Sequence, residues 1–173
     1  MNPLDWRHSL AEIPRARRAF TRQATAQELE TLARALELPA VNSLDVRYGL
    51  AGQAPGSYAL DGTLTARVVQ TCVVSLEPFE TIVEVPLAAE FRDGPAEPAV
   101  ASADTAEVEI LALPDIEPIE DGQLDIGRVV FESLAAGLDP NPRKPDATFS
   151  WTDSNAGNLS PFAALAKLKR DPG

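Results

Sequence analysis

The chain has 173 residues, 45% hydrophobic and 24% charged, a make-up that suits one compact domain with tails and excludes a fibrous or wholly disordered polypeptide. Its one cysteine, Cys72, and one histidine, His8, exclude an internal disulfide and a multi-cysteine zinc site, and force any triad chemistry through a single imidazole near the amino terminus. A formal charge of −11 at pH 7 removes any general attraction to nucleic acid or anionic membranes.

The charge is unevenly placed. Residues 1–24 form a basic N-terminal segment, with Arg7, Arg15, Arg17, Arg18 and Arg22 set against Asp5 and Glu12. From Glu77 to Asp125 there are fourteen acidic residues and one basic residue, Arg92. The start has no apolar core of the kind a secretory signal requires, and no segment approaches the roughly 18 apolar residues of a membrane helix. A cytoplasmic location is expected.

Thr25 and Glu28 spell a capping box, so a helix starts there. Leu29, Leu32, Ala33 and Leu36 continue at helical spacing to about residue 37, and Pro39 stops it. The period then becomes twofold: Leu44, Val46, Tyr48 and Leu50 alternate with polar residues as in a half-buried strand. Tyr58 and Leu60 begin another run, Asp61-Gly62 reads as a tight turn, and Leu64, Ala66 and Val68 lead on to Val74. Val83, Val85, Leu87, Ala89 and Phe91 make a further strand, joined to the last as an antiparallel hairpin around Glu77-Pro78. Pro86 removes a ladder donor and points to an edge or a bulge.

Residues 93–106, rich in Pro, Ala and small polar groups, read as a mobile loop, and Val108, Ile110 and Ala112 as a short strand. Asp125 caps a helix carrying Ile126, Val129, Val130, Leu134 and Leu138, ended by Asp139-Pro140. Residues 140–158 are irregular, and Pro161–Arg170 is an amphipathic helix with Phe162, Leu165 and Leu168 on one face and Lys167, Lys169 and Arg170 at its end. The expected fold class is α+β: an antiparallel sheet, open or partly closed into a barrel, with helices packed on it and a C-terminal helix. The expected domains are the basic segment 1–24, an α+β domain over 25–149, and a linker with the basic amphipathic segment over 150–173.

Candidate chemistry is sparse. Cys72, in Thr-Cys-Val-Val-Ser with no neighbouring histidine or lysine, reads as a buried structural thiol, and His8 as a packing residue. The acidic stretch Asp115–Gly122 fails as a calcium loop because Ile119 falls on a ligand position. Phosphate-binding glycine motifs are absent, and two tryptophans and two tyrosines spread along the chain make a poor stacking platform for RNA. No catalytic residue, metal or cofactor is expected.

Three passages resemble the YceD family, named for accumulation of large-subunit ribosomal RNA. Val69–Phe79 is similar to its C-x-x-C-x-x-P-F segment, Gln123–Gly127 leading to Leu138-Asp139-Pro140-Asn141-Pro142 to its helix and proline-rich exit, and Ser160–Arg170 to its N-P-F-x-x-L-x-x-L-K ending. Members with the two-cysteine turn and further cysteine or histidine near the exit could hold a metal. Here Ser75 stands at the second cysteine position and residues 141–146 supply neither Cys nor His, so the resemblance implies no metal in this chain.

The resemblance implies a non-enzymatic cytoplasmic factor supporting 23S ribosomal RNA accumulation and large-subunit assembly, through binding a ribosomal protein, a pre-50S particle or ribosomal RNA. The expected partner contacts are Phe162, Leu165, Lys167, Leu168, Lys169 and Arg170, with Asp125 and Glu132 shaping the preceding helix. The alternatives are direct RNA binding through Arg15, Arg17 and Arg18, or an enzyme using carboxylates or Cys72.

Overall fold

A computed structural model of the chain describes residues 3–93 and 115–149. Its elements are β1 (Arg7–Ser9), a 3-10 turn (Leu10–Glu12), β2 (Arg18–Gln23), α1 (Ala26–Ala35), β3 (Ala40–Ala54), β4 (Ser57–Thr71), β5 (Pro78–Arg92), β6 (Asp115–Pro118), β7 (Gln123–Asp125) and α2 (Ile126–Gly137). The fold is α+β. Five strands run in the order β2-β3-β4-β5-β6, and β1 pairs with β7 in a separate two-stranded ribbon.

The sheet departs from the antiparallel expectation in one respect. It is mixed, because β6 runs parallel to β5 while the other neighbours are antiparallel. It is open, with β2 and β6 as unjoined edges among the described residues.

Alternation decides which face is covered. Val46, Leu64 and Val85 lie in one register row, as do Leu44, Ala66 and Val83, and these rows belong to a single buried cluster. The intervening rows, such as Asp45-Thr65-Glu84 and Arg47-Thr63-Pro86, belong to the opposite face. Both helices bring their apolar sides to the covered face: Leu32 from α1, and Ile126, Val129, Val130 and Leu134 from α2. Each such fully buried aliphatic side chain stabilises the fold by about 1.5–3 kcal/mol before entropy is counted.

The capping box forms as expected: Glu28 N donates to Thr25 Oγ1 at 3.3 Å and Thr25 N to Glu28 Oε2 at 2.7 Å. At α2, Arg128 N donates to Asp125 Oδ1 at 3.0 Å. The expected turn at Asp61-Gly62 does not form. Both residues lie in the middle of β4, and the turn comes earlier, at Pro55-Gly56, with Gly56 at φ 74°. Gly62 is required for close approach instead, since a Cβ there would lie 2.4 Å from the Arg47 carbonyl oxygen.

Among the described residues β5 has no neighbour beyond β4 at Pro86, because β6 pairs only with Ala89–Arg92, so no second ladder there needs its missing N–H. The proposed loop and strand over 94–112 and the C-terminal amphipathic helix lie outside the described residues.

The basic amino-terminal stretch is part of the fold. Leu4 and Trp6 are buried, and Trp6 O accepts from Gly127 N at 3.1 Å. A Cβ at Gly127 would lie 2.2 Å from the Leu4 carbonyl oxygen, so only glycine lets this segment pass the start of α2.

Candidate functional site

Two places in the described molecule concentrate chemistry. The first is the β1–β2 edge. Arg18, Phe20 and Arg22 occupy alternate positions of β2, opposite Leu50, Tyr48 and Val46 on the covered face of the sheet. Phe20 stacks on Tyr48 with centroids 5.5 Å apart, and the His8 ring lies 4.6 Å from Phe20. The Arg18 guanidinium carbon is 5.3 Å from the Phe20 centroid, and that of Arg22 is 5.2 Å from the Trp6 centroid. Both distances fall within cation–π range.

The fold thus gathers His8, Phe20 and Tyr48, up to 40 positions apart in sequence, into one ring cluster. His8 Nε2 lies 2.8 Å from the Tyr48 hydroxyl. Burial, then the positive field of Arg22, pushes the His8 pKa below its ordinary value, with Glu12 opposing. Burial likewise raises the Tyr48 hydroxyl, against the pull of Arg22.

The three arginines named from sequence separate. Arg17 turns to the other face and grips Asp61, with Nε 2.9 Å from Oδ1. Arg15 and Arg18, and Arg22 with them, make no ion pair among the described residues. Glu28, the carboxylate that faces Arg22, is already engaged by Trp6 Nε1 at 2.6 Å and by Thr25. Burial opposes its ionisation, but these hydrogen bonds hold the Glu28 carboxyl below its ordinary range. Arg22 was missed because a basic run carries no mark of which side chains will be neutralised by distant carboxylates.

The second place is the β4–β5 turn. Cys72 is buried, and its Sγ accepts at 3.4 Å from the amides of Val74, Ser75 and Lys144. Val73 N donates to Pro142 O at 2.9 Å, fastening the chain after α2 onto this turn. The Ser75 hydroxyl and amide, with the Lys144 and Val74 amides, outweigh burial and lower the Cys72 thiol to about 6.

The backbone amide of Lys144, 72 residues away in sequence, therefore reaches this thiol. Lys144 Nζ pairs with Glu77 at 2.8 Å. The position does not fit zinc: Ser75 and Lys144 offer a hydroxyl and an ammonium where a thiolate or imidazole is needed, and the sulfur already accepts three N–H groups. Among the described residues no group of three or more His, Cys, Asp and Glu is placed to hold a metal.

On α2, Asp125 and Glu132 are brought to a common partner. Arg128 gives its amide to Asp125, and its Nε lies 3.0 Å from Glu132 and 3.4 Å from Glu117. Glu117 is itself buried, so this arginine balances a carboxylate taken out of water. Phe162, Leu165, Lys167, Leu168, Lys169 and Arg170 lie outside the described residues. No described helix is long and apolar enough to cross a membrane.

Residues 60–169 match the family described as large ribosomal RNA subunit accumulation protein YceD. The chain belongs to the YceD family. The matched stretch runs through the Cys72 turn, β5, α2 and the exit that docks on the turn, so the family segment includes that docked pair of loops. YceD proteins are tied by that description to large-subunit ribosomal RNA. No curated protein and no solved structure matches the chain.

Proposed function

We propose that the chain is a non-enzymatic, cytoplasmic YceD factor that supports accumulation of the large ribosomal RNA by binding a ribosomal protein or RNA of the assembling large subunit. The observation that carries this reading is the family match over residues 60–169. The charge pattern supports it: a strongly acidic middle suits a basic ribosomal protein, and the arginines of β2 suit RNA.

The test is depletion of the protein in its own cells, with ribosomal RNA quantified and the tagged chain followed through a sucrose gradient. The expected result is a lowered ratio of large to small ribosomal RNA and co-sedimentation with particles lighter than the mature large subunit. An unchanged ratio together with a chain that stays at the top of the gradient overturns it. So does turnover of a metabolite abolished by a single substitution.

A further inference from the structure

Resting on that reading, we infer that the β2 edge, through Arg18 and Arg22 anchored on their aromatic rings, is a contact site for single-stranded RNA. The two guanidinium groups are fixed before any ligand arrives. Arg18 lies over Phe20, Arg22 lies over Trp6, and Phe20 is backed by Tyr48 and His8. Ordering long side chains in advance lowers the entropic cost of binding.

Neither cation makes an ion pair with a described carboxylate, whereas the adjacent Arg17 is held by Asp61; Arg22 feels Glu28 only at longer range, and its side chain donates to the Tyr48 hydroxyl. In a chain of net charge −11, two cations on one face of one strand without such a pair among the described residues mark the edge as the place where an anion is accepted.

The shape selects the polyanion. Residues four apart on a strand lie about 13 Å apart, so the pair spans a short run of backbone phosphates. Among the described residues β2 borders only β3. A flexible single strand can bend to meet two cations on one short strand, whereas a rigid duplex or a flat anionic membrane must also approach the acidic remainder of the chain. Guanidinium planes also stack on unpaired bases, which a double helix hides.

The experiment is fluorescence anisotropy of a labelled mixed-sequence 12-nucleotide RNA with the full-length chain across a salt series. Duplex RNA, inorganic polyphosphate and vesicles of anionic lipid serve as parallel arms. The R18A/R22A pair is expected to weaken single-strand binding at least about tenfold, and to flatten the log–log salt slope by about 1.4. R17A is expected to leave affinity within about twofold. R18K/R22K, which keeps the charge and the fold but not the planar forks, is expected to lose an intermediate amount.

Circular dichroism establishes that each variant is folded. Equal RNA affinity in folded R18A/R22A and wild type overturns the inference, as does preference for duplex, polyphosphate or vesicles over the single strand. Co-sedimentation of the same variants separates the two readings. A wild-type chain that rides on immature particles without binding free RNA sinks the ridge alone, whereas one that binds RNA but leaves the particles and ribosomal RNA levels untouched sinks the assembly role.

Discussion

The β1–β2 edge and the β4–β5 turn solve opposite problems with similar parts. At the turn, donors converge inward: three amides aim at one buried sulfur, and Lys144 and Glu77 neutralise each other above it. At the edge, the cations stay without an ion pair among the described residues: Arg18 and Arg22 rest on rings that support them. Local neutralisation marks the turn as a structural joint. Unpaired charge on a rigid support marks the edge as a surface made for something else.

The largest effect is expected from removing the support of the edge. Trp6→Ala takes out a buried ring that Arg22 covers and that donates to Glu28, and it should cost about 3–5 kcal/mol in urea denaturation. A loss below about 1 kcal/mol would mean that the edge is not built on this ring.

At the turn, Cys72→Ala leaves three amides without their acceptor and should lower Tm by about 3–8 °C, with Cys72→Ser falling less because an acceptor remains. Equal losses in the two variants would show that packing, rather than acceptance of N–H groups, holds the joint. A milder effect belongs to Thr25→Ala, which removes one half of the capping box and should cost about 1 kcal/mol, read from the same denaturation curves.

The remaining effects are pH effects, and both groups make the protein more stable as pH rises. Folded Cys72 loses its proton at about 6, whereas an ordinary unfolded thiol does so near about 8.5, so between these values the unfolded state holds the extra proton. The contribution is complete above the unfolded value and is lost as pH falls through about 6. Thiolate absorbance should titrate near there, and Cys72→Ser should remove this part of the slope.

Burial and Arg22 depress His8 below its ordinary value of about 6.5, so its contribution is present above that value and disappears as pH falls through the lower folded value. Proton NMR of the imidazole should show the lowered midpoint, and Arg22→Gln should move it up. A midpoint at or above 6.5 in the wild type would contradict the burial of the ring against the arginines.

Signals carried by neighbours in the chain were legible from sequence. Thr25 with Glu28, Asp125 ahead of α2, and the twofold runs of β3 and β5 all declare themselves over a few residues. What depends on a distant partner was not. Asp61-Gly62 has the composition of a turn, yet Gly62 is there because the backbone of Arg47 and Tyr48 comes too close for a side chain. β1 and β2 escaped notice because three and six residues with little alternation become strands only through β7 and β3.

The site divides in the same way. Arginines were visible as a basic run, but the choice between Arg17 and Arg22 depends on Asp61, 44 residues from Arg17, and on Trp6. Cys72 looked remote from any lysine, and the chain after α2 returns Lys144 to it from 72 residues away.

Among the described residues strand β2 has no neighbour on one side of its backbone, and such a border invites a strand from another molecule to add on. Fixed positive charges at two of its six positions discourage that addition, because a neutral apolar strand would have to bury them. Resistance to self-association and receptiveness to a polyanion would then reside in the same two side chains. A version with neutral residues there should therefore become sticky towards its own copies as it is concentrated.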